Sequence, residues 1–177
     1  FMENFCWTRE GLDLISSHVD TGEALPNTLF DSLKRSRGFQ SAMMMLRQIE
    51  FALIDFEMHA FYQPESIEPI ADLAKRIRSE VSVITPPEYH RALHSFTHIF
   101  SGGYAAGYFS YKWAEVLSAD AFSLFEETGI LNPETGRHFK NTILAAGGSV
   151  NPMLLFKAFR GREPKIEALL RHSGISV

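Results

Sequence analysis

The sequence has a single cysteine, Cys6, which excludes a disulfide framework and a cysteine-rich zinc site. No apolar run approaches the roughly 18 residues that a membrane-spanning helix needs. Positive charge is not in excess either. Against 17 Lys and Arg stand 21 Asp and Glu, a formal charge of −4 that argues against a nucleic-acid surface. Strand signals are missing, since β-branched and polar residues alternate only briefly, at Val81-Ser82-Val83-Ile84. Internal repeats and low-complexity stretches are absent too.

What the sequence does have is apolar bulk. Its 177 residues are 45% apolar and include 15 Phe, too apolar and too charge-balanced for disorder. That length and composition suit one helical domain over residues 1–177. The opening, Phe1-Met2-Glu3-Asn4-Phe5-Cys6-Trp7, reads like the interior of a core helix, which suggests a piece of a longer protein.

Helical signals recur along the chain. Thr8 suits the N-cap of a short helix carrying Leu12, Leu14 and Ile15. Pro26-Asn27 opens a second helix that Gly38 stops. From Phe39 to Tyr62 apolar residues recur every three or four positions, and Pro64 closes the run. Ser66 and Pro69 lead into Ile70, Leu73, Ile77 and Val81. A helical segment is expected from Glu88 to about Phe100, and a long helix carrying Tyr104, Tyr108 and Tyr111 ends at Gly129. Asn132-Pro133, Pro152 and Lys165 start three more. The predicted class is all-α, a compact multi-helix unit.

Tyr104, Tyr108 and Tyr111 stand at i, i+4 and i+7, a spacing that puts three phenols on one helical face. Phe109 and Trp113 would then point inward. Such a stripe reads either as core or as a row of neutral hydrogen-bond donors for a peptide carbonyl or an oxyanion. Gly102-Gly103 just before it favours a loop that brings side chains onto a ligand. His90, His94 and His98 recur every four residues. A shared metal is one reading, but no Glu follows as in a zincin helix and Arg91 sits beside the first, so solvated or capping histidines are the default. Cys6, between Phe5 and Trp7, reads as a buried inert thiol. Arg160-Gly161-Arg162 with Lys165 reads as a solvated turn tied to nearby acids, or as an anion holder. Lys75, Arg76, Arg78 and Glu80 read as a wet face.

The segment Phe96-Thr97-His98-Ile99-Phe100-Ser101-Gly102-Gly103-Tyr104-Ala105-Ala106-Gly107-Tyr108-Phe109-Ser110-Tyr111-Lys112-Trp113 resembles the thimet-oligopeptidase family of zinc metallopeptidases. Met2-Glu3-Asn4-Phe5, Phe39-Gln40-Ser41, Leu46-Arg47-Gln48-Ile49-Glu50-Phe51-Ala52, Gly147-Gly148-Ser149 and Phe159-Arg160-Gly161-Arg162-Glu163-Pro164 resemble it too, so the likeness covers the chain.

The resemblance implies the C-terminal part of a larger, mostly helical, zincin-like peptidase that cleaves short peptides. It implies that His98, Tyr104 and Tyr111 contact substrate, with Tyr111 helping to stabilise the tetrahedral oxyanion. Gly102, Gly103 and Tyr108 join the substrate-binding set. The family holds zinc through an HExxH helix and a later Glu. This chain has no HExxH, and Glu3 matches a different family position. Zinc is therefore expected in the full-length enzyme and not in this chain, which alone is expected to be inactive. Phe109 replaces what is often another Tyr. The implied partners are short peptides and the N-terminal remainder of the same polypeptide, with self-association of the isolated chain possible and no nucleic acid or membrane. The implied compartment is the cytoplasm. A non-catalytic helical module that binds peptides or a partner is the alternative.

Overall fold

The computed structural model describes residues 1–65 and 68–175. Eight α-helices occur among the described residues: α1 (Arg9–Ile15), α2 (Asn27–Arg37), α3 (Ser41–Phe56), α4 (Ile70–Val81), α5 (Ser110–Thr128), α6 (Pro133–Phe139), α7 (Pro152–Arg160) and α8 (Glu167–His172). No described residue is in a strand, so the all-α class holds. Ser66, expected near the start of α4, lies outside the described residues. The chain divides into two compact units, residues 1–39 with 114–177 and residues 40–113, the division falling inside α5.

Capping explains most helix starts in the first unit. The Thr8 hydroxyl accepts from the Gly11 amide and opens α1. Asn132 and Asn151 each accept from the two amides that follow their proline, opening α6 and α7. Gly161 closes α7 at φ 78°, the left-handed turn that glycine adopts without strain. The core of this unit is phenylalanine. Phe122, Phe125, Phe156 and Phe159 are buried, with Phe1, Phe5 and Phe139 packed on them. Phe1 stacks on Phe139 at 4.2 Å, and Phe5 meets Phe122 edge-on at 5.0 Å.

Residues Met2–Trp7 form a 3-10 turn, not the interior of a core helix, and none of them is fully buried. The turn sends Phe1 and Phe5 inward and leaves Cys6 exposed, which corrects the expectation of a buried thiol. Arg160 and Arg162 also depart from a solvated turn, because the anion they hold is internal. Buried Asp120 accepts from both terminal nitrogens of Arg162 at 2.6 Å and from the Lys165 amide at 2.7 Å.

In the second unit α3 packs on α4 through Ile54, Leu73, Ala74 and Ile77. Arg78 leaves the expected wet face, because its Nε donates to buried Glu50 of α3 at 2.8 Å. A neighbouring cluster joins Phe96, Ile99 and Tyr108 to Phe51 and Ala52.

The segment expected to be helical from Glu88 to Phe100 is instead two 3-10 turns, Ala92–Ser95 and Thr97–Ile99. Non-helical torsions at Arg91 and Phe96 (ψ 47° and 64°) interrupt it, and the break lets Phe96 and Ile99 enter one cluster three residues apart. Helix α5 starts at Ser110, later than expected, because residues 101–109 form successive turns in which Gly103 (φ 79°) and Ala106 (φ 54°) are left-handed. Phe109 and Trp113 do not point inward: they are 41% and 44% exposed, and Phe109 stacks on half-exposed Phe56 at 5.1 Å.

Candidate functional site

The second unit gathers His98, Gly102, Gly103, Tyr104, Tyr108 and Tyr111 in one place, though not by the helical stripe that their spacing suggested. Of the three tyrosines only Tyr111 lies in a helix, in the first turn of α5. The others arrive on the preceding turns, where the Tyr104 amide donates to the His98 carbonyl at 2.9 Å and the Gly102 amide to the Thr97 carbonyl at 2.8 Å. A Cβ at Gly102 would stand 2.8 Å from the His98 Cα and 2.9 Å from its carbonyl oxygen, so the turn closes only over glycine.

The rings converge. Tyr104 and Tyr111 lie 4.8 Å apart, Tyr108 and Tyr111 5.2 Å, and the His98 ring is 6.1 Å from Tyr111 and 6.3 Å from Tyr104. His98, Tyr104 and Tyr111 are exposed. Tyr108 differs, being only 7% exposed with its hydroxyl donating to the Gln48 side-chain oxygen at 2.9 Å. Its proton is thus engaged, and it supports the pair from below.

Electrostatics favour the neutral form of the Tyr108 and Tyr111 phenols. A hydrogen bond with the Tyr104 hydroxyl holds the Tyr111 phenol above its ordinary value of 10.0, and burial and Tyr108 push the same way. Burial raises Tyr108, opposed only in part by the Arg47 charge. At neutral pH the exposed Tyr111 phenol is therefore an uncharged O–H donor.

Asp55, in the last turn of α3, is 1% exposed. Its two oxygens accept at 2.9 Å from the amides of Ala106 and Tyr108, and His59 Nδ1 lies 2.9 Å from Oδ1. Sequence reasoning passed over Asp55 and Gln48, both inside the apolar run of α3. The available signal was a carboxylate between Ile54 and Phe56, where the period calls for burial.

His90, His94 and His98 do not form a ladder. His90 lies outside the helical elements, and the other two sit on separate 3-10 turns. Among the described residues no three His, Cys, Asp or Glu side chains converge in a way that could hold a metal ion.

The chain as a whole matches a known class of protein. The model of peptidase family M3 matches residues 1–175, and the chain belongs to that family. It is 55% identical to oligopeptidase A of Haemophilus influenzae and 52% identical to oligopeptidase A of Escherichia coli, each over 99% of this chain and 26% of the relative. It is 50% identical, over 99% of its length, to a probable cytosolic oligopeptidase A of Arabidopsis thaliana, again covering 26% of the relative. The chain thus spans about a quarter of the length of the curated relatives it matches. No helix among the described residues is long and apolar enough to cross a membrane.

Proposed function

We propose that the full-length protein is an oligopeptidase acting on short peptides, and that this chain supplies groups that hold the substrate and stabilise its transition state. The observation that carries the reading is the convergence of exposed Tyr104 and Tyr111 beside His98, with the Tyr111 phenol held neutral. The names of the relatives support the reaction class.

Peptide hydrolysis turns a planar carbonyl into a tetrahedral centre whose oxygen carries growing negative charge. A neutral phenol donates more strongly to that oxygen than to the ground-state carbonyl, which lowers the barrier and not merely the KM. Tyr111 takes this role. Tyr104, whose ring lies 4.8 Å from that of Tyr111, packs beside the phenol and contacts the peptide. His98 and the turn through Gly102 and Gly103 form the edge on which the peptide backbone lies. Tyr108, whose hydroxyl is engaged by Gln48, acts by supporting Tyr111.

The zinc of the full-length enzyme and the carboxylate that activates water are assigned to other parts of the polypeptide. The proposed compartment is the cytoplasm, in keeping with the cytosolic plant relative. A second plant relative of the same identity is named organellar.

Kinetics on the full-length protein test the reading. Tyr104→Phe removes one neutral hydrogen bond and is expected to lower kcat/KM for a short peptide about threefold to tenfold. Unchanged kinetics in both this variant and Tyr111→Phe would remove the reading. The 177-residue chain alone is expected to hydrolyse no peptide, with or without added zinc. It is also expected to self-associate, because Leu53, Phe56, Phe109 and Trp113 of its second unit are exposed. Hydrolysis by the pure chain, or a monodisperse monomer in sedimentation, would count against these expectations.

A further inference from the structure

Two unfavourable features meet beneath the tyrosine cluster. Asp55 is a carboxylate at 1% exposure, at a position where α3 otherwise presents Phe51 and Ile54 to the core. Ala106 holds φ 54°, a left-handed conformation that a residue with a Cβ rarely adopts. The same hydrogen bonds join them. Asp55 Oδ1 accepts from the Ala106 amide and Oδ2 from the Tyr108 amide, both at 2.9 Å and across more than fifty residues. A buried charge and a strained backbone persist together only where surrounding contacts over-determine them. Here those contacts bracket Gly107, between the two tyrosines that flank Tyr111 in space.

We propose that Asp55 is a positioning residue: by gripping the amides of Ala106 and Tyr108, it sets where the phenols of Tyr104 and Tyr111 stand against a substrate. This rests on the oligopeptidase reading above. The grip needs a carboxylate, because two N–H groups approach and both oxygens must accept. An asparagine would turn an NH2 group against one of them. A glutamate would carry the oxygens one methylene too far. His59, with Nδ1 2.9 Å from Oδ1, braces the carboxylate from the same helix end. Released from the grip, Ala106 relaxes out of the left-handed region, and the chain carrying Tyr104 and the Tyr108 ring swings away from Tyr111.

The test uses the full-length enzyme with a short peptide as substrate. Asp55→Asn is expected to lower kcat about tenfold with KM changed less than twofold, as for misplaced transition-state groups. Adding Ala106→Gly to that variant is expected to recover at least about threefold in kcat, because glycine adopts the left-handed conformation freely. A merely structural carboxylate predicts a lower melting temperature with normal kcat per folded molecule and no rescue by glycine. Should Asp55→Asn fail to fold, Ala106→Val strains the same turn from its exposed side and is expected to lower kcat about tenfold. Wild-type kcat in the folded variants, or no gain from the added glycine, would overturn the proposal. If Tyr111→Phe lowers kcat while these variants do not, only the positioning role fails. If Tyr111→Phe and Tyr104→Phe are also silent, the proposed function fails with it.

Discussion

Tyr111→Phe in the full-length enzyme is expected to lower kcat about 10²–10³-fold while KM changes less than about twofold. The substitution removes one O–H and little else. Ring packing at 4.8 Å from Tyr104 and 5.2 Å from Tyr108 survives, so the fold and the peptide-binding edge stay in place. What is lost is a donor aimed at an oxygen that becomes charged only in the transition state, a loss typically worth about 2.7–4 kcal/mol. The selective effect on kcat follows because the ground-state carbonyl accepts a weaker hydrogen bond than the oxyanion does. The pH profile provides a second check. Because Tyr104 and burial hold the Tyr111 phenol above 10.0, the midpoint of any activity loss from its ionisation lies above that pH. An unchanged kcat would dismiss the oxyanion role, and a purely KM effect would recast Tyr111 as a binding residue.

The sequence made the class of fold plain, and with it the identity of the residues that gather at the site. Thr8, Asn132-Pro133 and Pro152 marked helix starts where the structure has them, because capping depends on one or two neighbouring residues. The tyrosine cluster was legible as a set of residues but illegible as geometry. Spacing by four and three implies a helix face, yet Tyr104, Tyr108 and Tyr111 reach one another through turns made by Gly103 and Ala106 in left-handed conformations. A positive φ at an alanine leaves no local trace in sequence, and the carboxylate that accepts from its amide, Asp55, lies in a helix fifty residues earlier. Asp55 and Asp120 were missed for one reason. Each interrupts an apolar run where a charge reads as a surface residue, and only the tertiary structure shows the donors that neutralise it. Cys6 and Arg78 erred in opposite directions on the same ground: neighbours in sequence were taken for neighbours in space.

Asp120→Ala is expected to destabilise the first unit by roughly 3–5 kcal/mol, the cost of removing one partner from a buried ion pair. Asp120 is 1% exposed, and its two oxygens take up the paired terminal nitrogens of Arg162, the Lys165 amide and the Arg160 guanidinium, which lies 3.4 Å away. Truncation leaves these donors facing an apolar gap. Arg160 keeps Glu127 as a partner, whereas the Lys165 amide and much of the Arg162 fork lose theirs. Arg162→Met is expected to cost less, since Asp120 then retains Arg160 and the Lys165 amide. Urea unfolding of the full-length protein, with amide exchange over residues 117–125 as the local readout, measures both. A loss under about 1 kcal/mol for Asp120→Ala would refute the account. Acid provides the complementary measurement. Burial pushes the Asp120 carboxyl up, but Arg162, the Lys165 amide and Arg160 together hold it below its ordinary 3.8. Glu126 behaves alike: burial raises it, and His172 and Arg171 bring it down from 4.5 to about 2. A carboxylate depressed in the folded state contributes its full stabilisation above the unfolded value and loses it as pH falls through the folded one. The first unit is therefore expected to weaken progressively from about pH 4.5 to pH 2, and Glu126→Gln is expected to flatten that decline. An equally steep acid transition in the variant would show that the His172 and Arg171 contacts contribute nothing to stability.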